Sequence, residues 1–332
     1  MRLITILFIF LSITSSAQKF TGVSLEAPPK EIKSSDINPI LQVNAKWVGI
    51  IPFGFLDKGK TTIRYDFEYQ WWGERKAGVV KSISIAKSKK LKVMLKPQLW
   101  IKDQFVGDID FTKAPSKWIA LEKNYTTYIL DFARIADSLD VEILSIGCEF
   151  KKWVVKRPIF WNNLIVKIKS IYKGELTYSS NWDNFQHVKF WSKLDYIGID
   201  SYFPMSESKT PGVKAMRQKW SRINPLLKKV SKRYNRKILF TEYGFRSVDT
   251  NMRETWDSEK PGAVNELAQK NAYQAMFSSI WKEDWFAGGF LWKWKADHSA
   301  AGGKTDNRFT PQNKLAEPLI KANFLKFNQS SR

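Results

Sequence analysis

The sequence predicts a single α/β domain folded as a closed (β/α)8 barrel, also known as a TIM barrel. Eight short apolar runs alternate with longer amphipathic stretches, a pattern typical of βα units in a parallel sheet. The chain has 332 residues, a length that barrels of this kind commonly reach as one domain. No low-complexity segment or Pro/Gly-rich linker divides residues 18–332, so we expect one barrel domain there.

The predicted strands share a short apolar run that ends in polar or aromatic residues: 20–25, 46–52, 91–98, 141–147, 175–182, 196–202, 237–241 and 287–294. The predicted helices show apolar residues at helical spacing: 78–89, 116–139, 160–172, 212–233, 263–282 and 318–327, with only a short turn near 185–191. An open, doubly wound sheet is the structural alternative. Eight nearly regular units favour the closed barrel.

Reactive side chains of such barrels lie at the carboxyl ends of the strands. Two acids occupy this position here. Glu149 directly follows the apolar run 141–146, and Glu242 ends the run that begins at Ile238. A charge at the end of a buried strand is costly unless it has a partner or a use. By the unit count they follow strands four and seven, which would bring them together as the carboxyl pair of a retaining glycosidase. Taken singly, each could instead be a salt-bridge partner or a strand-end cap.

Five motifs at these strand ends resemble clan A of the glycoside hydrolases, and most closely glycoside hydrolase family 113, whose described members include endo-β-mannanases. They are Lys92-Val-Met-Leu-Lys96-Pro97, Ile146-Gly-Cys-Glu149, Asn181-Trp182, Asp195-Tyr-Ile-Gly-Ile-Asp-Ser-Tyr202-Phe-Pro204 and Leu239-Phe-Thr-Glu242-Tyr-Gly244. The resemblance extends over nearly the whole chain after residue 17. It implies hydrolysis with retention, with Glu149 as acid/base and Glu242 as nucleophile.

The resemblance also implies several substrate contacts. Tyr202 would hydrogen-bond the nucleophile, and Trp292 would form the floor beneath the sugar that is cleaved. The remaining predicted contacts are Lys96, Gln98, Trp100, Asn181 and Trp182. For each aromatic residue, packing in the core is the alternative.

Two positions depart from the pattern of the clan. Cys148 stands where much of the clan has an asparagine that binds the sugar 2-hydroxyl, and a thiol is a poor hydrogen-bond donor. Gln98 stands where related sequences often carry histidine. Both departures concern the choice of substrate, so these motifs do not identify the sugar that is bound.

The N-terminus predicts a cleaved signal peptide over residues 1–17. Arg2 gives a positive start, residues 3–13 are almost all apolar, and Ser15-Ser16-Ala17 supplies small residues. We therefore expect a secreted or periplasmic protein. A buried N-terminal strand or an uncleaved anchor is the alternative.

Composition limits the other function classes. Lysine and arginine exceed the acids by 54 to 32, but they are scattered, which favours a solvated surface over a nucleic-acid site. With two histidines and one cysteine, the chain has few of the side chains that form a zinc site or a His-based catalytic triad. The segment 54–61 matches a P-loop pattern, yet an extended segment follows it where a phosphate-binding helix would have to begin.

The sequence thus predicts a retaining, endo-acting glycoside hydrolase of a β-linked polysaccharide, and the family resemblance implies β-1,4-mannan as the leading candidate. We expect it to act as a monomer on a polysaccharide or oligosaccharide. We expect no cofactor or metal, no nucleic-acid partner and no stable membrane insertion. A barrel that binds polysaccharide with weak or no catalysis is the alternative.

Overall fold

The computed structural model describes residues 18–259 and 261–329, so the predicted signal peptide lies outside the described residues. Within these ranges the strands are β1 Phe20–Leu25, β2 Trp47–Ile50, β3 Phe53–Leu56, β4 Ile63–Arg64, β5 Lys92–Leu95, β6 Gln98–Ile101, β7 Ile143–Cys148, β8 Glu175–Asn181, β9 Tyr196–Asp200, β10 Lys237–Tyr243 and β11 Phe286–Trp294. Eight of them close a barrel in the order β1-β2-β5-β7-β8-β9-β10-β11, and β11 pairs with β1. Neighbouring barrel strands are parallel, which confirms the predicted fold and its eight strands.

Helices follow most of the barrel strands and cover the outside of the sheet. They are α1 Asn38–Gln42, α2 Lys76–Ser88, α3 Pro115–Ser138, α4 Lys151–Lys156, α5 Pro158–Ile171, α6 Val213–Tyr234, α7 Glu266–Phe277 and α8 Ala316–Gln329. Between β8 and β9 the chain makes two 3-10 turns instead, as the predicted short turn implied. The sequence prediction missed α1 and α4, which have five and six residues. Such short segments hold too few residues to show a helical period.

Two of the predicted strands were too long, and proline explains where they end. The predicted runs 46–52 and 91–98 end as barrel strands at Ile50 and Leu95. Pro52 and Pro97 follow, and proline has no N–H for the ladder. Beyond them the chain forms a second sheet with the order β4-β3-β6. Gln98 and Trp100 therefore lie on β6 of this small sheet and not at the end of a barrel strand, which corrects their predicted setting.

An aromatic cluster supports the strand end that carries Glu149. Phe150 is buried, and its ring centroid lies 5.2, 5.0 and 5.7 Å from those of Tyr125, Trp153 and Trp161. These residues come from α3, α4 and α5. Burying an aromatic ring contributes about 1.5–3 kcal/mol, so the cluster fixes the backbone next to Glu149.

The segment with the P-loop pattern does not lead into a helix. After β3 it turns at Gly59, whose φ is +72°, and continues into β4, antiparallel to β3. No N-terminal helix amides are available there to hold a phosphate. Among the helices of the described ranges, none combines the length and the apolar character needed to cross a bilayer.

Candidate active site

The carboxyl ends of the barrel strands surround a cleft of about 1080 Å³. The predicted site residues that line it are Gln98, Trp100, Glu149, Asn181, Trp182, Tyr202, Glu242 and Trp292. Lys96 is the one predicted site residue outside this lining. The fold therefore gathers side chains from five barrel strand ends and from β6 around one space.

Glu149 follows β7 in a left-handed backbone conformation, with φ of +56°. This region costs a non-glycine residue about 1–2 kcal/mol. Hydrogen bonds hold it there: its N–H donates to the carbonyl of Ser179 at 2.8 Å, and the N–H of Lys151 donates to its carbonyl at 2.7 Å. The turn directs the side chain into the cleft and not along the strand.

Burial raises the pKa of Glu149 well above its ordinary value, and the nearby carboxylates of Asp200 and Glu242 raise it further. The charge of Lys96 opposes these effects without cancelling them. Within the described part of the chain no hydrogen bond to the Glu149 carboxyl group is recorded. A raised pKa favours the protonated carboxyl group, which is the form that can donate a proton.

Glu242 lies on β10 and has the opposite surroundings. Its Oε1 accepts hydrogen bonds from Lys96 Nζ at 2.5 Å and from Gln98 Nε2 at 2.7 Å. Its Oε2 accepts one from the Tyr202 hydroxyl at 2.7 Å. Three donors, one of them cationic, thus hold this carboxyl group in place. The contact with Tyr202 is the one that the resemblance implied.

Lys96 lies beneath the cleft, fully buried, and has no exposed surface with which to reach a substrate. Besides Glu242, its ammonium binds both oxygens of Asp200, at 2.9 and 3.1 Å. Burial, the largest single effect, would lower the pKa of Lys96, but Asp200, Cys148 and Glu242 together outweigh it and raise the pKa instead. The side chain predicted as a substrate contact thus supplies positive charge to two buried carboxylates.

Cys148 is also directed away from the cleft. Its side chain is 4% exposed, and its thiol donates to Oδ2 of Asp200 at 3.3 Å. Burial raises the pKa of the thiol well above its ordinary value. The donor atoms of Cys148, Glu149 and Asp200 lie within 4.8 Å of one another. That spacing could suit a metal ion, but the ammonium of Lys96 already supplies the positive charge at Asp200.

Asn181 and Trp182 follow each other at the end of β8, and both line the cleft. The amide oxygen of Asn181 is buried and has no hydrogen-bond partner among the residues the structure describes. A buried polar atom without a partner is unfavourable, and a rotation of this partly exposed side chain would let the oxygen accept from a ligand hydroxyl in the cleft.

The sequence analysis missed Trp256, which lies in the loop between β10 and α7. Its ring stacks on that of Trp182 with centroids 5.5 Å apart and an angle of 19° between the planes, and it is 48% exposed. Phe105 and Phe309 also line the cleft, together with the cations Lys151, Arg246, Lys293 and Arg308. Lys151 pairs with Asp183, and Lys293 pairs with Glu26. The high tryptophan count of 15 was the only signal for Trp256, and it does not identify a position.

The model of Glycoside Hydrolase Family 113 matches residues 30–314. The protein belongs to glycoside hydrolase family 113. Membership confirms the family resemblance and establishes the protein as a glycoside hydrolase. No curated protein has a sequence that matches it.

Solved structures of family 113 enzymes share the fold. One is a complex of a GH113 β-1,4-mannanase, with a TM-score of 0.81, 23% identity and coverage of 93% of this chain and 99% of that one. A GH113 β-mannanase from Alicyclobacillus acidocaldarius in complex with ManMIm has a TM-score of 0.81 and 22% identity, covering 95% and 100%. A Faecalibacterium prausnitzii β-glucuronidase is more distant, with a TM-score of 0.59, 13% identity and coverage of 93% and 49%. The family 113 protein described here thus has the same barrel as these mannanases.

Proposed function

We propose that this glycoside hydrolase cleaves a β-linked polysaccharide in endo fashion with retention of configuration, and that β-1,4-mannan is its substrate. The observation that carries the proposal is the difference between two glutamates in one cleft. Glu149 has a raised pKa, and no described residue donates a hydrogen bond to its carboxyl group, whereas Glu242 accepts three hydrogen bonds. Two carboxyl groups kept in different protonation states are what double displacement needs.

In the first step a carboxylate oxygen of Glu242 attacks the anomeric carbon. The bond from that carbon to the glycosidic oxygen breaks, and Glu149 gives its proton to the departing oxygen. This leaves a glycosyl ester on Glu242 and an ionised Glu149. In the second step Glu149 takes a proton from a water molecule whose oxygen attacks the anomeric carbon, which releases Glu242.

The lining of the cleft supports a carbohydrate ligand. Trp100, Trp182, Trp256 and Trp292 present aromatic surface, which packs well against the apolar faces of pyranose rings. The unpartnered oxygen of Asn181 can accept from a sugar hydroxyl near the cleavage point. Mannan as the polymer is supported by the names of the family 113 structures, which are β-mannanases.

The test is hydrolysis of purified β-mannan, xylan, β-glucan and uronic-acid polymers, with the anomer of the first product followed by NMR. We expect β-mannan to be cleaved to oligosaccharides that first appear as the β anomer. Glu242→Gln should lose activity by about 10⁴-fold or more while still binding the polymer. Inversion at the anomeric carbon would exclude the double displacement. Binding without turnover of any polymer by the wild type would favour the polysaccharide-binding alternative.

We also propose that residues 1–17 are removed on export and that the mature protein acts as a monomer outside the cytoplasm. The positive, apolar and small-residue order of this segment supports the proposal. Mass spectrometry of the protein from its native host should give Gln18 as the first residue, and size-exclusion chromatography should give the mass of one chain. An intact N-terminus in the membrane fraction would show an anchor instead.

A further inference from the structure

The small sheet β4-β3-β6 has one face that continues the wall of the cleft. Side chains alternate along β6, so Leu99 and Ile101 point into the core, while Gln98 and Trp100 point to the opposite face. Gln98 reaches Glu242, and Trp100 lines the cleft. The register pairs Trp100 with Phe55 of β3. Residues paired in register share a face, so Phe55 stands beside Trp100.

Three aromatic side chains form a continuous surface from there outward, and we call Trp100, Phe55 and Phe67 the aromatic ridge. The ring centroid of Phe55 lies 6.0 Å from that of Trp100 and 5.9 Å from that of Phe67. Trp100 is 49% exposed and Phe67 is 38% exposed. The ridge thus begins inside the cleft and ends on the open surface beside it.

The surroundings of the ridge are polar. Arg64 stands opposite Phe55 on β4, and its guanidinium binds Asp57 at 3.0 Å with both side chains mostly exposed. Exposed aromatic rings bordered by charged groups are typical of a binding surface, because leaving them in water is unfavourable. Rings with hydrogen-bond donors beside them suit a sugar, whose ring faces are apolar and whose edge carries hydroxyls.

We propose that the aromatic ridge binds the part of a β-linked polysaccharide chain that lies beyond the sugars held between Glu149 and Glu242. The occupant is the substrate chain itself, because the ridge is continuous with the cleft through Trp100. This inference deepens the proposed function and depends on it for the identity of the polymer. It makes the protein selective for long chains, since a short oligosaccharide fills the cleft without reaching Phe55 or Phe67.

The experiment compares the wild type with Phe67→Ala and with Phe55→Ala/Phe67→Ala. The control is Ile159→Ala on α5, which removes a side chain that is 75% exposed and lies outside the cleft lining. The readouts are kcat/KM on long β-mannan and on a short manno-oligosaccharide, and retardation in gels that contain soluble β-mannan. We expect the double variant to lose about tenfold in kcat/KM on the polymer and to change less than about twofold on the oligosaccharide. The control should match the wild type on both.

Each outcome decides the proposal separately from the proposed function. The proposal is wrong if the double variant and the wild type show equal gel retardation and, where the enzyme is active, equal kcat/KM on the polymer. If the wild type hydrolyses no mannan, the proposed function fails, and weaker retardation of the double variant would still support the ridge. If the double variant changes its oligomeric state but not its gel retardation, the ridge is a contact between copies of this chain and the proposal is wrong. Phe67 lies in an exposed loop, so Phe67→Ala should fold even if the double variant does not. In that case the ridge is tested by the single variant, whose loss of kcat/KM on the polymer should be smaller than the loss expected of the double variant.

Discussion

The thiol of Cys148 donates a hydrogen bond to Oδ2 of Asp200 across 3.3 Å, and both side chains are buried. Asp200 accepts further hydrogen bonds from Lys96 and from the hydroxyl of Thr241 at 2.8 Å. The residue that replaces the usual asparagine before the proposed acid/base, Glu149, therefore belongs to the network beneath the cleft. A contact to the sugar 2-hydroxyl would have to come from another residue, and Asn181 is the candidate on the cleft wall.

Cys148→Ala should lower kcat by about fivefold with little change in KM, because a weak hydrogen bond to Asp200 is lost and Asp200 supports the proposed nucleophile, Glu242, through Lys96. Cys148→Ser keeps a donor and should lose about twofold at most. Steady-state kinetics on the preferred polymer measures both. A rise in KM with unchanged kcat would instead show that Cys148 contacts the substrate.

Lys96→Met should destabilise the fold by about 3–5 kcal/mol, because it leaves Asp200 and Glu242 as buried acids without their cation. Activity should fall by at least about a hundredfold, since Glu242 loses its charged donor. Denaturant unfolding and kcat measure the two effects. The double variant Lys96→Met/Asp200→Asn removes one of the two unpaired acids, so its free energy of unfolding should lie between those of Lys96→Met and the wild type. Its activity should stay as low as that of Lys96→Met, because Glu242 still lacks the charged donor.

The matched control for that series is Lys321→Met, which changes an exposed lysine on α8 and should leave stability and activity unchanged. Equal stability of Lys96→Met and the wild type would contradict the role assigned to the buried ion pair.

Glu149→Gln should stabilise the protein relative to the wild type, and the gain should grow with pH. Burial, followed by the charges of Asp200 and Glu242, raises the folded-state pKa of Glu149 above its unfolded value. The folded wild type therefore holds a proton that the unfolded chain releases, so its free energy of unfolding falls as pH rises from about 4 towards the folded pKa. The glutamine has no such dependence. Urea unfolding of both proteins between pH 4 and pH 8 measures the difference, and a difference independent of pH would contradict the raised pKa.

Trp256→Ala should raise KM by about threefold to tenfold with a smaller effect on kcat, because the sugar loses the exposed ring stacked on Trp182 and the chemistry at Glu242 is untouched. Kinetics on the polymer checks this, with Leu226→Ala on α6 as an exposed apolar control. A fall in kcat without a change in KM would place Trp256 at the reacting centre.

The sequence predicted the barrel because its evidence is local and repeated. Each buried parallel strand must be an apolar run, and each covering helix must carry an apolar stripe, so eight apolar runs and six amphipathic stretches between them were visible without coordinates. The positions of Glu149 and Glu242 followed from the same count, since an acid after a buried strand is conspicuous. The family motifs added the contact between Tyr202 and Glu242, which the structure contains.

Tertiary structure alone decided what surrounds those acids. Lys96, Asp200 and Cys148 come from three different strands, and no sequence period shows that a lysine predicted to touch the sugar is buried beneath Glu242 instead. Trp256 reaches Trp182 from a loop, where apolar periodicity gives no information. The sequence by itself determined the barrel and the strand ends that carry the two glutamates, because these depend on patterns within one segment. Only the folded chain decided what surrounds each carboxyl group and raises the pKa of Glu149, because burial and neighbouring charges are set by contacts between distant segments.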